Sequence, residues 1–161
     1  MIDLVREFDT ARRVLRKQIG DPVPPGLGLE WIETDGRFWQ PGALEAFRAF
    51  VVGEFVGEDL VDLIAFDPSR PTRAWARTGC AARLGEENFL VARFMGEPLL
   101  VHADPAAYCR AAGRGVVILD GDFLRLIDLP DLQFDDPVIA VRVERAQNRP
   151  RSTPRFHVRA A

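Results

Sequence analysis

Apolar and polar residues in the N-terminal third follow helical spacing, then strand alternation, then helical spacing again. Helical spacing over residues 2–19 predicts an amphipathic helix, which ends before a Gly-Asp-Pro turn. Residues 29–39 alternate around Asp35-Gly36, a dipeptide typical of a β-hairpin turn. Residues 41–57 are predicted to form a second helix, because a broad apolar face recurs at helical spacing through Leu44, Phe47, Phe50, Val51 and Phe55.

Beyond residue 60, short apolar runs alternate with helical patterns. Strands are predicted at residues 60–66, 99–103, 116–119, 132–134 and 156–158. Helices are predicted at residues 72–84, 86–94, 105–112 and 138–147. The stretch from 99 to 122 has the strand–helix–strand pattern of a parallel βαβ step. The sequence therefore predicts an α/β fold, a small and mostly parallel sheet with flanking helices, preceded by an N-terminal helix and a β-hairpin.

Composition bounds the class of protein. The 161 residues are 47% hydrophobic and 28% charged, as in an ordinary soluble domain, so we expect a single domain over 1–161 in which residues 1–59 precede an α/β core at 60–161. No apolar run approaches the roughly 20 residues that span a bilayer, and the N-terminus does not resemble a secretory signal, which favours a cytoplasmic protein without membrane contact. A net charge of −3 argues against a protein that coats nucleic acid without sequence preference.

Two carboxylates at a strand end are a candidate metal site. Asp120 and Asp122, separated by Gly121, follow the predicted strand at 116–119, and paired carboxylates of this kind can hold Mg²⁺. This step resembles the metal-binding strand of toprim domains in primases and topoisomerases, a family that also uses a glutamate after an earlier strand. Asp67 stands at that place here, and we expect it to be the third ligand if a metal binds. The alternative is a solvent-exposed turn.

Arginine dominates the basic residues, with Lys17 the only lysine. On the predicted helix at 72–84, Arg73 and Arg77 lie four residues apart and are candidates to clamp an anion. A second cluster follows at the C-terminus, after a run of six aspartates between 120 and 136, and consists of Arg149, Arg151, Arg155 and Arg159. This basic segment either pairs with the aspartates, within one chain or across a homodimer, or binds an anionic partner such as nucleic acid.

A cysteine nucleophile is the remaining chemical candidate. Cys80 and Cys109 are the two cysteines, and we expect both to be buried, free thiols. His102 is the base nearest to Cys109 in sequence, but a thiol in mid-helix lacks the field of a helix N-terminus. A structural role for His102, beside the predicted helix cap at Asp104, is favoured.

The segments DLIAFDPSRPTRAWARTGCAARLG, GRGVVIL and PRFHVR carry a family resemblance. Over residues 61–159 the chain is similar to a group of uncharacterised alphaproteobacterial proteins of prophages and mobile elements. The shared features are Pro71, Arg73 and Trp75 at a predicted helix start, and the later pair Leu84 and Gly85. The resemblance implies a phage or mobile-element setting and no particular activity.

The sequence favours a non-enzymatic accessory or binding protein. We expect it to need no cofactor and to act through an arginine-rich face or the N-terminal helix, with a protein partner favoured over nucleic acid. The alternative is a Mg²⁺-dependent phosphoryl-transfer enzyme of toprim type that uses Asp120 and Asp122.

Overall fold

The fold combines helices with three groups of paired strands. The computed structural model describes residues 2–22, 26–42, 46–119 and 130–148. In chain order the elements are α1 (Leu4–Ile19), β1 (Leu27–Asp35), β2 (Phe38–Pro41), β3 (Phe47–Val56), β4 (Asp59–Asp67), β5 (Arg70–Ala76), β6 (Arg83–Leu84), α2 (Glu86–Met95), β7 (Leu99–Val101), α3 (Pro105–Arg110), β8 (Val117–Ile118), β9 (Leu132–Phe134) and α4 (Pro137–Asn148). The predicted mixture of helices and strands behind an N-terminal helix is confirmed.

The first five strands close into a barrel in the order β1-β2-β5-β4-β3. Four of the five neighbouring pairs are antiparallel. Strand β1 closes the barrel because it pairs with β2 on one side and with β3 on the other. The exception is the parallel contact of β2 with β5, through Phe38 and Ala76. The prediction of a mostly parallel sheet is therefore wrong, since the main sheet is mostly antiparallel.

Two predicted helices are strands of this barrel. Residues 47–56 form β3 instead of a helix, and residues 70–76 form β5 where a helix from 72 to 84 was expected. The sequence FRAFVVGEFV of β3 is rich in aromatic and β-branched residues, which pack well on a pleated surface. Its apolar residues fit both helical and strand periodicity, and backbone pairing with β1 and β4 stabilises the strand.

Helix α1 contributes directly to the core of the barrel. Its N-terminus is capped by the side chain of Asp3, which accepts a hydrogen bond from the backbone N–H of Arg6 at 3.0 Å. Phe8 and Ala11 are buried in one cluster with side chains of four barrel strands, among them Ile32, Trp39, Val51 and Leu63. The helix approaches β1 so closely that a Cβ atom at Gly28 would lie 2.7 Å from that of Ala11.

The second half of the described chain packs around two short sheets. Strands β6 and β8 pair antiparallel, and β7 pairs parallel with β9. Helix α3 lies between β7 and β8 in the chain, as predicted, but β7 meets the β8 region only through a parallel bridge from Val101 to Val116. β7 thus has a parallel ladder with β9 on one side and a single parallel bridge to the segment after α3 on the other, so the predicted parallel step is present only as that bridge.

A shared apolar cluster joins the two halves. Val52, Ile64 and Phe66 of the barrel are buried against Leu84 and Val117 of the second half. Among the described residues, no helix combines the length and the apolar character that crossing a bilayer requires.

Candidate functional site

Asp67, the expected third metal ligand, is engaged in a turn. It ends β4, and its Oδ1 accepts hydrogen bonds from the hydroxyl of Ser69 at 2.7 Å and from the backbone N–H of Ser69 at 2.8 Å. These hydrogen bonds hold the pKa of Asp67 below its usual range. Asp120 and Asp122 lie outside the described residues. Within the described residues, no three His, Cys, Asp or Glu side chains are grouped so as to hold a metal ion.

The two arginines expected on one helix face lie on and just after a strand. Arg73 is exposed on β5, and Arg77 follows the end of that strand. The guanidinium of Arg77 forms a bidentate pair with Glu7 of α1, with Nε to Oε2 at 2.7 Å and Nη2 to Oε1 at 3.0 Å. Its Cζ also lies over the ring of Trp39, 5.5 Å from the ring centroid, within cation–π range. The prediction that Arg73 and Arg77 share a helix face is therefore wrong, and anion binding by these side chains stays a prediction.

The other predicted arginines, Arg149, Arg151, Arg155 and Arg159, lie outside the described residues. Their pairing with an anionic partner, or with the acidic run, stays a prediction.

The thiols and His102 do not form a nucleophilic pair in the described contacts. Cys80 is exposed, so the expectation that both thiols are buried is wrong for this one. Burial raises the pKa of the half-buried Cys109 to about 11, which keeps it as an unreactive thiol at neutral pH. Nδ1 of His102 lies 2.8 Å from Oδ2 of Asp135, and Nε2 lies 2.7 Å from the carbonyl oxygen of Arg114. Both ring nitrogens of His102 are thus engaged within the protein, which agrees with a structural role, but by partners other than the expected Asp104.

Asp62 organises the loop after β5 from inside the protein. Its Oδ1 accepts hydrogen bonds from the backbone N–H groups of Leu63, Arg77 and Thr78 at 2.8, 3.1 and 3.0 Å. Its Oδ2 accepts from the N–H of Ala81 at 3.2 Å. A fully buried carboxylate that satisfies four backbone donors fixes the path of the chain where Arg77 turns toward α1.

Glu54 of β3 holds the N-terminus of α2. Its side chain accepts hydrogen bonds from the backbone N–H groups of Gly85 at 2.6 Å and Glu86 at 2.8 Å, both in the unpaired first turn of the helix. Glu54 is 2% exposed, and this burial raises its pKa to about 6 against the lowering effect of the two N–H groups. The barrel and α2 are therefore linked through one buried carboxylate.

A second set of contacts holds the same helix end. Arg83 forms an ion pair with Glu86, and its Cζ lies 3.5 Å from the ring centroid of Phe89. Phe89 and Ala92 in turn form the buried side of α2, against β7. The helix is thus fixed at its first turn and along its inner face.

After the first turn, which carries the exposed Glu87, the outer face of α2 is apolar although it is exposed. Phe94 is 89% exposed, which is rare for a residue of this size in a folded domain. Helical geometry places Phe94 opposite the inner residues Phe89 and Ala92. Four large exposed apolar side chains cover this face and define the α2 surface: Leu90, Val91, Phe94 and Met95.

A cleft of about 750 Å³ lies beside the β1–β2 hairpin, and we call it the hairpin cleft. Its volume is within the range of small-molecule sites. The lining combines acidic, aromatic and basic side chains and includes Glu33, Asp35, Phe38, Trp39, Phe47 and Arg77.

Sequence reasoning missed both the α2 surface and the hairpin cleft. The signal for the first is visible: six of the seven residues in FLVARFM are apolar, more than the single buried stripe of a surface helix needs. The cleft has no comparable signal, because its residues come together only when the barrel closes.

Comparison with protein-family models, with curated proteins and with solved structures finds no match to this chain. The resemblance to mobile-element proteins and to the toprim strand therefore stays a prediction, and the geometry of the described residues is the basis for assigning a function.

Proposed function

We propose that this protein is a non-enzymatic binding protein that docks a protein partner on the α2 surface. The observation that carries the proposal is the exposure of four neighbouring large apolar side chains on one helix face, centred on Phe94. Leaving such groups in water is unfavourable, and burying each one contributes about 1.5–3 kcal/mol. A partner that covers the face gains this contribution.

The spacing of the exposed side chains suits recognition of a helix by a groove. Leu90 and Phe94 are four residues apart, as are Val91 and Met95, so the four form a continuous strip along α2. Helices that dock in apolar grooves use anchors at this spacing. We therefore expect the partner to present a concave apolar surface.

The helix is already ordered before it binds. Glu54 holds its first turn, and Phe89 and Ala92 fix its inner face. Gly96 ends it in a left-handed conformation, with its N–H bonded to the carbonyl of Ala92. Binding therefore costs little backbone ordering, which favours useful affinity from a small surface.

The test is a site-specific photocrosslink made from the α2 surface in the host cell. A photoreactive phenylalanine analogue replaces Phe94, and the matched control carries it at Val138, an exposed apolar position on α4 with 70% exposure. Crosslinked proteins are identified by mass spectrometry, and the strongest candidate is purified. Its affinity for wild-type protein is then measured by calorimetry beside the variants Phe94→Asp and Val138→Asp.

The proposal predicts a partner that crosslinks from position 94 and not from position 138. Phe94→Asp should weaken its binding by a factor of about 100, since a charge replaces a buried aromatic anchor, whereas Val138→Asp should leave it nearly unchanged. Both substitutions are at exposed sites, and unchanged thermal unfolding would show that the variants fold. Equal crosslinking from both positions, or equal affinity of the two variants, would refute the proposal.

A further inference from the structure

The β1–β2 hairpin and the adjoining part of β3 share a face that points away from the barrel core. Side chains at alternate positions of β1 leave the same side of the strand, and the residues paired with them on β2 and β3 leave that side too. The buried Ile32 and Trp39 occupy the opposite side, within the core. We call the outward side the hairpin face, and it consists of Trp31, Glu33, Asp35, Phe38, Gln40 and Arg48.

Two aromatic rings of the hairpin face are open to solvent. Trp31 is 48% exposed and Phe38 is 38% exposed. Arg48 lies over the ring of Trp31, with 5.4 Å from its Cζ to the ring centroid. Arg37 lies over the ring of Phe38 at 5.1 Å. Aromatic residues and arginine are enriched in protein–protein interfaces and carry much of their binding energy, so this face has the composition of a docking surface.

The two ends of the hairpin face carry opposite charges, each beside an aromatic ring. Arg48 is paired with Trp31 at one end, and Asp35 is paired with Phe38 at the other. Trp31 and Asp35 are four residues apart on β1, which separates the ends by about 13 Å. Within the part of the chain that the structure describes, Arg48 and Asp35 take part in no ion pair. Each end therefore offers a ring and a charge that the other end can match.

We propose that the hairpin face binds a second copy of this chain in a two-fold symmetric dimer. In such an interface every contact between two different residues occurs twice. When two copies meet face to face with their β1 strands running in opposite directions, Trp31 packs against the partner's Phe38. Arg48 then reaches the partner's Asp35. The symmetric partners of these contacts form at the other end of the face.

Charge favours a second copy over a nucleic acid as the occupant. A phosphate backbone that crossed the face would meet the carboxylates of Glu33 and Asp35 as well as Arg48. Glu33 accepts a hydrogen bond from Gln40 at 3.5 Å, and the dimer requires no new contact from either residue. The hairpin face shares no residue with the α2 surface and does not depend on the function proposed for it.

The size of the face makes the dimer weak and reversible. Six side chains are fewer than the roughly 20–30 residues that each partner contributes to an interface of standard size. The test is therefore sedimentation velocity of the purified full chain over a range from about 10 µM to about 1 mM, where weak association is measurable. The variants are Trp31→Ala, Arg48→Glu and Asp35→Arg. The controls are Glu58→Arg, which reverses an exposed charge at the β3–β4 hairpin, and Phe94→Asp on the α2 surface.

We expect wild type to form dimers increasingly with concentration. Trp31→Ala should weaken dimerisation about 30-fold, and each variant that reverses a charge of the hairpin face should weaken it about tenfold, while both controls stay within about twofold. Unchanged thermal unfolding would show that each variant folds.

Mixing the Arg48→Glu and Asp35→Arg proteins gives the decisive measurement. In the mixed dimer the new glutamate faces the new arginine, and the unchanged Arg48 faces the unchanged Asp35, so association should return to within about threefold of wild type. A change that only disturbed each chain by itself would not be repaired by mixing. A wild type that stays monomeric, a mixture that associates no better than its components, or a dimer abolished by Phe94→Asp would overturn the proposal.

Discussion

Glu54 makes the stability of this protein depend on pH in a direction opposite to that of most carboxylates. The side chain is buried beneath α2, and its pKa is raised from 4.5 to about 6. A raised pKa means that the folded state favours the neutral, protonated form. The stabilisation that protonation provides is complete below pH 4.5 and is lost as the pH rises through 6.

The size of the effect follows from the pKa. One unit corresponds to about 1.4 kcal/mol, so a change from 4.5 to about 6 makes the free energy of unfolding smaller by about 2 kcal/mol between pH 4 and pH 7. Other carboxylates titrate in this range too, and comparison with a variant removes their contribution. Glu54→Gln does not titrate, and because Gly85 and Glu86 donate to different oxygens of Glu54, replacing one oxygen by an NH2 group leaves one of these N–H groups without its acceptor.

The assay is urea denaturation at half-unit steps from pH 4 to pH 7, for wild type, Glu54→Gln and the exposed control Glu58→Gln. We expect the variant to be less stable than wild type at pH 4, because one helix N–H loses its partner. The difference should then shrink by about 2 kcal/mol toward pH 7, as wild type loses stability and the variant does not. A difference that is constant over this range, or that widens toward neutral pH, would refute the assignment. Glu58→Gln should track wild type at all pH values.

Further predictions concern the buried polar contacts. Asp62→Asn keeps one acceptor oxygen but removes the partner of the Ala81 N–H, and should destabilise the protein by about 2 kcal/mol in urea denaturation. A loss below about 0.5 kcal/mol would contradict the role of Asp62 in fixing the loop after β5. Asp135→Asn weakens the contact with His102 and should destabilise by about 1 kcal/mol, since Asp135 is partly exposed. Hydrogen exchange should speed up in the adjacent strand β9 and stay unchanged in β3; equal acceleration in both would argue for a global effect instead.

Local sequence signals predicted much of the second half of the fold. Helix α2 was expected at 86–94 and is found at Glu86–Met95, and α3 begins at Pro105 behind the predicted Asp104 cap, whose side chain accepts from the N–H of Ala107 at 2.8 Å. Caps, prolines and short apolar runs act within a few residues, so their consequences are visible in the sequence. The pairing of strands is not local, and the main sheet, which was expected to be mostly parallel, is mostly antiparallel.

The candidate site could be predicted less well than the fold. Glu54 and Asp62 have no distinguishing neighbours in sequence, and their hydrogen-bond partners lie up to 32 residues away. Arg77 was expected to share a helix face with Arg73, but it pairs with Glu7, which is 70 residues distant. Such contacts exist only after the chain has closed on itself, since each needs a donor and an acceptor from different elements.

The sequence by itself determined the helices with clear caps, the first hairpin and the mixed composition of the fold. It also held the information for the α2 surface, because six of the seven residues from 89 to 95 are apolar and cannot all lie on the one side of the helix that faces the core. Only the tertiary structure decided that residues 47–56 and 70–76 are strands, since apolar spacing there suits both periodicities and closure of the barrel satisfies their backbone hydrogen bonds. Closure also created the hairpin cleft, by bringing Arg77 and Phe47 to the side of a hairpin that neither adjoins in sequence.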